Sequence, residues 1–474
     1  MRRMKMEENK KKIGLNKIWL AIVIAVVAIV AIVLFVVLGK PQGNKIDAKQ
    51  VIPSVKDVEF ENMYVAAKAR NPVTFLLVDG EDNDVNDRLE GKTVKRIGVP
   101  VMKLDDYKKD SQIDVHVMTK TLPATVIRSY PLVIPANTYS QNKVNEWHYF
   151  DVNIVIGKGE MLAFGTSAGA DGFTFGFVKK SDNVPAVNKT LEETKGYTGS
   201  VNTGGPVTYA DGATQYGLLF DIYYEETKED NSNPLKGKYI SIMGDSISTF
   251  QGFSDNSLYQ TGIRNNVIFY PSDLKVNVTD TWWMKTISAL DMKLCVDNSW
   301  SGSHVSTFKD ETEKAACMDR ATLLHNDNLN INPDIIVFAI GANDALGSYE
   351  IGTYNGLSDV YDGEKYIGDT KLFAQAYAMM LHKTKTQYPE ADIYLFSMLN
   401  WPLKKEGGTP IVDYTNVVKQ IADEFGVTYV DLFNETDISP ETAEKYFYDR
   451  VHPTPAGFTE MSECLVKVLK EKYK

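Results

Sequence analysis

The sequence predicts an α/β fold for the C-terminal half, a parallel sheet covered by helices, preceded by an all-β sandwich that is jelly-roll-like and by one transmembrane helix. Three observations predict it. Residues 18–38 are an unbroken apolar run, residues 51–226 alternate apolar and polar side chains, and from about Lys236 strand-like runs alternate with helical ones.

The apolar run consists of Ile, Val, Ala, Leu and Phe, with Trp19 near its start. Crossing a bilayer takes about 20 such residues in a helix. Arg2, Arg3, Lys5, Lys10, Lys11, Lys12 and Lys17 precede it against Glu7 and Glu8. That bias keeps residues 1–17 cytoplasmic and places everything after Gly39 outside. The run is too long for a secretory signal, and Val36-Val37-Leu38-Gly39-Lys40 is a poor cleavage site. A single-pass anchor of an outward-facing, bacterial protein is expected, followed by a linker over 39–50.

Between 51 and 226, Ile113, Val115 and Val117 share one parity, as do Phe150, Val152, Ile154 and Ile156, and Phe173, Phe175 and Phe177. Period-two runs broken by Gly, Asp, Asn and Pro turns read as the strands of a β-sandwich. The polar stretch 225–237 reads as a linker. From 236 to 474 the strand-like runs are 239–243, 293–296, 335–340, 393–398 and 427–433, with helical stretches at 281–290, 312–324, 372–386 and 414–425. Such alternation builds a parallel sheet with helical covers.

The 474 residues leave room for two cores beyond the anchor. A net charge of -11 argues against a nucleic-acid partner. Cys295, Cys317 and Cys464 fall in predicted elements and read as buried free thiols.

Gly244-Asp245-Ser246 follows the first apolar run of the C-terminal half, and Asp449-Arg450-Val451-His452 lies near the end of the chain. A serine hydroxyl becomes a nucleophile when an imidazole takes its proton, and a carboxylate orients that imidazole. Gly302, after the run 294–296, can present a backbone N–H, and Asn343, after 335–340, a side-chain amide. With the N–H of Ser246 they form a candidate oxyanion hole. The blocks GDS, glycine, GxND and DxxH, in this order over residues 236–474, resemble the SGNH (GDSL-type) hydrolase superfamily.

The resemblance implies a three-layer flavodoxin-like domain with strand order 2-1-3-4-5. Its catalytic residues would be Ser246, Asp449 and His452, with Ser246, Gly302 and Asn343 as oxyanion donors. It implies a serine esterase; family members include polysaccharide acetyl esterases, lipases and lysophospholipases. The expected substrate is a short-chain, acetyl-type ester of extracellular or cell-wall carbohydrate. A lipase or lysophospholipase is the alternative, and so is a non-catalytic wall- or carbohydrate-binding protein with a degenerate hydrolase domain.

Tyr270, Trp283, Trp300 and Trp401 lie in or beside the predicted site loops and are candidates for stacking on sugar rings; helix-to-sheet packing is the other reading for Trp283 and its neighbour Trp282. Gly165-Thr166-Ser167-Ala168-Gly169 matches GxSxG but sits between alternating runs, where no strand-to-helix elbow is predicted. The acidic loop 79–87 departs from a calcium-binding loop, since Asp87 stands where glycine is needed and Thr93 where glutamate is. No metal or cofactor is predicted. Oligomeric state is open.

Overall fold

The fold is taken from a computed structural model, which describes residues 48–51, 53–65, 73–76, 88–120, 124–166, 172–179, 195–200, 208–209, 216–227, 232–254, 268–271, 274, 276–307, 315–402 and 407–474. The expected anchor at 18–38, Ser167 of the GxSxG match and the acidic loop 79–87 lie outside the described residues. Among the described residues, no helix is long and apolar enough to cross a membrane.

In the N-terminal part the main strands are β1 (Lys92–Leu104), β2 (Ser111–Thr119), β3 (Val126–Ile134), β4 (Lys143–Val155), β5 (Glu160–Thr166), β6 (Phe173–Lys179) and β7 (Asp221–Glu226). Their pairings are antiparallel, and hydrogen bonding joins them with shorter strands into one continuous sheet. The sheet folds over one core, because Ile97, Val99 and Val101 of β1 pack in the same cluster as Ile113, Val115 and Val117 of β2. Phe164 stacks on Phe220 across it. The alternating residues of the sequence thus line this core, although the backbone runs on as one sheet and does not split into two.

The C-terminal part is a five-stranded parallel sheet: β8 (Tyr239–Gly244), β9 (Lys293–Ser299), β10 (Ile335–Ala339), β11 (Asp392–Phe396) and β12 (Thr428–Val430). The spatial order is β9-β8-β10-β11-β12, which is 2-1-3-4-5. β8 and β10 are central and buried on both faces, hence their nearly continuous apolar runs. The main helices among the described residues are α1 (Trp282–Ala289), α2 (Ala342–Gly347), α3 (Phe373–Gln387), α4 (Ile411–Phe425) and α5 (Pro455–Lys472). The Thr281 and Thr454 side chains cap α1 and α5 at their N-termini, and Gly426 ends α4 at φ 62°.

Two expectations need correction. Residues 315–324 form no α-helix but turns and a 3₁₀ segment at Asp319–Thr322. The Ala316 and Cys317 N–H groups bond to the carbonyls of His304 and Val305, so the backbone donors a helix would use are spent on another loop. The last strand is also shorter than 427–433, because Asp431 caps the short helix Leu432–Glu435 through the Asn434 N–H. Within the predicted linker, Leu235 is buried in the α/β core and the Asn233 amide bonds to the Leu290 carbonyl.

Residues 49–474 form one compact unit, so the β-rich and α/β parts share an interface. Glu160, buried on β5, lies 2.6 Å from Arg128 of β3 and 2.8 Å from Lys293 of β9. Gln112 donates to Thr279, Thr279 to Asp114, and Ser288 to the Ser129 carbonyl. Phe253, seven residues after Ser246, packs on the apolar cluster of Met118, Ala124, Val126, Met161 and Ala163.

Candidate active site

The site forms at the carboxyl edge of the parallel sheet, where β8, β9 and β10 end side by side. Gly244 closes β8. A Cβ there would lie 2.6 Å from Ser248 Oγ and 2.9 Å from Ser299 Oγ, so only glycine fits. The next turn is set by Asp245, whose Oδ1 accepts the Ile247 N–H at 3.0 Å, and by the Ser248 N–H to the Asp245 carbonyl. Burial pushes the Asp245 carboxyl up to about 7, against hydrogen bonds from backbone N–H groups.

Ser246 stands in this turn with its Oγ 2.9 Å from His452 Nε2. His452 Nδ1 lies 2.7 Å from Asp449 Oδ2. The other oxygen, Oδ1, accepts the Val451 N–H at 3.1 Å and the His452 N–H at 2.8 Å, which fixes the carboxylate plane. The turn passes through Arg450 at φ 73°, a left-handed conformation uncommon for a side chain of this kind.

Burial pushes the His452 imidazole below its ordinary 6.5, outweighing the hydrogen bond and charge of Asp449, which act to raise it. Burial acts to raise the Asp449 carboxyl too. Hydrogen bonds from the His452 N–H and ring, the charge of His452 and the Val451 N–H overcome it and hold the carboxyl below its ordinary value. At neutral pH the pair therefore presents an ionised carboxylate and a neutral imidazole, the form that can accept a proton. Phe269 lies flat on the imidazole, with centroids 3.4 Å apart and planes 10° off parallel.

Gly302 occupies a turn after β9 closed by the Ser303 N–H to the Trp300 carbonyl, with φ 72°. Trp300 N–H bonds back to the Gly244 carbonyl, tying this turn to the serine strand. Asn343 sits in the first turn of α2, whose entry residue Gly341 has φ 117° and where a Cβ would meet Met398 Cε at 2.7 Å. The Asn343 amide donates to the Ser303 carbonyl at 2.7 Å; an amide carries two N–H groups. Beside it, buried Asp344 accepts from the Val305 N–H, the Ser306 N–H and the Ser306 hydroxyl. The structure thus brings Ser246, His452 and Asp449 into one hydrogen-bonded line and joins the Gly302 turn to Asn343.

The four aromatic candidates are corrected. Tyr270, Trp283, Trp300 and Trp401 are all buried and have no face free to stack on a sugar ring. They brace the loops from beneath: Tyr270 bonds to the Pro453 carbonyl, Trp283 to the Ser248 carbonyl and Trp401 to the Val451 carbonyl, while Trp300 lies under the Arg320 guanidinium. Trp282, also buried, donates to Ser248 Oγ. Two residues near the chemistry, Phe269 and Arg320, escape a reading of the sequence, where neither stands in a motif. Among the described residues, no three His, Cys, Asp or Glu side chains converge as a metal site.

This sheet order, with a serine, an imidazole and a carboxylate aligned at its carboxyl edge, defines a hydrolase of the esterase class. Residues 238–469 match the GDSL-like Lipase/Acylhydrolase family, in keeping with the resemblance of the four blocks to the SGNH superfamily. Similar solved structures include a candidate GDSL-like lipase from Bacteroides ovatus, 24% identical over 50% of this chain and 99% of that one at TM-score 0.37. Another from Bacteroides uniformis is 23% identical over 51% and 100% at TM-score 0.38. A family two carbohydrate esterase from Clostridium thermocellum, in complex with cellohexaose, is 14% identical over 85% and 91% at TM-score 0.34. No curated protein matches the sequence.

Proposed function

We propose that the protein is a serine esterase that removes short acyl groups, acetyl foremost, from carbohydrate hydroxyls outside the cell. The observation that carries this reading is the continuous line from Asp449 through His452 to Ser246 Oγ, at 2.7 and 2.9 Å. In it, Ser246 Oγ attacks the ester carbonyl carbon while its proton passes to His452 Nε2. The carbonyl electrons move onto oxygen, where the N–H groups of Ser246 and Gly302 and the Asn343 amide receive the charge. Collapse expels the alcohol, which takes the proton from His452. A water molecule then repeats the sequence on the acyl-enzyme and frees the acid.

Support for a short acyl group comes from the sequence, where no long apolar segment near the catalytic blocks offers an acyl-chain tunnel or lid. On the alcohol side, the Asp449 side chain is 49% exposed, which leaves room for a bulky hydroxylated leaving group. The basic residues before the apolar run 18–38 support an external catalytic domain held by a single anchor.

The test compares initial rates on acetylated xylan, acetylated peptidoglycan, p-nitrophenyl esters from acetyl to octanoyl, and lysophospholipid, with fluorophosphonate labelling of Ser246. Acetyl esters should be fastest and Ser246→Ala should abolish both turnover and labelling. A rate maximum at long chains moves the reading to a lipase, and absence of labelling moves it to a non-catalytic binding protein. External protease on intact cells should remove the catalytic domain and spare an N-terminal tag; a mature chain beginning just after Leu38 would refute the anchor.

A further inference from the structure

Arg320 is buried beneath the site, at 2% exposure. A guanidinium presents five N–H groups in a planar fork that no other cation reproduces. Here that fork reaches three segments that meet at the proposed oxyanion hole. Nε donates to Asn298 Oδ1 at 3.3 Å; one terminal nitrogen donates to the Ser303 hydroxyl; the other donates to the Asn298 carbonyl at 2.6 Å and the Gly244 carbonyl at 3.3 Å. Its central carbon lies over the Trp300 ring, 4.6 Å from the ring centre.

Ser303 is the joint in this arrangement. Its hydroxyl is held by Arg320, its N–H closes the turn on Trp300, and its carbonyl accepts the Asn343 amide at 2.7 Å. Gly302 is bonded to it in the chain. Where the Gly302 N–H points, and where the second Asn343 N–H points, therefore depends on where Ser303 is held. The same fork fixes the Gly244 carbonyl, two residues before the nucleophile. Such donors contribute only when pre-aimed at the position the oxyanion takes in the transition state.

We propose that Arg320 is a positioning residue that locks the nucleophile strand, the Gly302 turn and Asn343 into one oxyanion-binding geometry. The proposal rests on the esterase reading above. Its signature is a loss in kcat with little change in KM, because aim matters to the transition state more than to the bound ester. It also requires the fork and not the charge alone, so lysine should not substitute.

The full chain is prepared as wild type, Arg320→Gln, Arg320→Lys and Ser303→Ala, each titrated with a fluorophosphonate so that rates refer to competent sites. On p-nitrophenyl acetate, Arg320→Gln should lower kcat about 10²-fold with KM within about threefold, by the scale of one lost oxyanion donor. Arg320→Lys should recover no more than about threefold of that, since a point charge cannot span three segments. Ser303→Ala should lower kcat about tenfold at nearly unchanged melting temperature, a smaller loss because only the hydroxyl link is removed. Full rescue by lysine, a loss confined to KM, or an unchanged kcat in titrated Arg320→Gln overturns the proposal. Should Arg320→Gln not fold, Ser303→Ala decides alone, and a kcat within about twofold of wild type overturns it. A wild type that neither labels nor turns over sinks the esterase reading itself, an outcome distinct from active variants that ignore Arg320.

Discussion

Replacing Asp449 by asparagine tests the proposed chemistry with the least disturbance of shape. In the native turn, Asp449 Oδ1 accepts two backbone N–H groups, from Val451 and His452, and Oδ2 faces His452 Nδ1. An asparagine must keep its oxygen toward the two N–H donors, which turns its NH₂ toward Nδ1. Two donors cannot face each other, so Nδ1 becomes the acceptor and the ring proton moves to Nε2. Nε2 is then blocked from taking the Ser246 proton across 2.9 Å.

A wrong tautomer of this kind costs about 10⁴ in turnover in the serine protease template; with Asp449 half exposed and water able to compete for Nδ1, about 10³ is expected here. Both backbone bonds survive, so the melting temperature should shift by no more than about two degrees, as for changes that leave packing intact. The assay is kcat for p-nitrophenyl acetate on purified full-length protein, alongside a thermal melt. A kcat within about tenfold of wild type, with the fold intact, would refute the assignment of Asp449.

Because burial holds His452 below 6.5, the acid limb of kcat/KM should have its midpoint below 6.5; a midpoint above that value would contradict the buried imidazole. Phe269→Ala strips one face from the imidazole and should cost about three- to tenfold in kcat by the usual worth of such ring contacts, and no change in kcat would assign Phe269 to packing alone. Arg128→Met leaves Glu160 as a buried carboxylate short of its closest cation and should lower unfolding stability by about 3–5 kcal/mol in denaturant titrations near neutral pH. The Glu160 pKa is lowered in the fold, although burial acts to raise it, because Arg128, Lys293 and the Gly157 N–H act against burial. Its contribution is therefore present above its ordinary 4.5 and lost as pH falls through the folded value, so the gap between variant and wild type should close in acid; a gap independent of pH would show that the loss is steric.

What the sequence can show follows from how local each feature is. Ser246 and the pair Asp449 and His452 are legible because their chemistry is written in short spacings next to strand ends. The central strands are legible because burial on both faces leaves unbroken apolar runs. Arg320 is not, because nothing in the stretch Cys317-Met318-Asp319-Arg320-Ala321 says that a guanidinium will reach Gly244, 76 positions upstream. A helix over 312–324 is suggested by Ala315, Ala316, Ala321 and Leu324, whose burial is real but is achieved in turns packed under α3. A place in loops suggests exposure for the tryptophans near the site. Instead, each indole N–H of Trp282, Trp283 and Trp401 finds a protein acceptor beneath the surface, a requirement of burial that composition does not reveal.

The seam between the two parts of the chain bears on where this enzyme can be cut. The family match begins at 238, which invites trimming the chain to the hydrolase alone. Such a fragment would bare Phe253 and, on the discarded half, leave Glu160 with one cation instead of two. Family likeness marks the catalytic unit, while packing marks the compact unit, and here the second extends back to Lys49. The β-rich half thus covers the end of the segment that begins at the nucleophile, so grafting it elsewhere or swapping it for another module would change what Phe253 rests on.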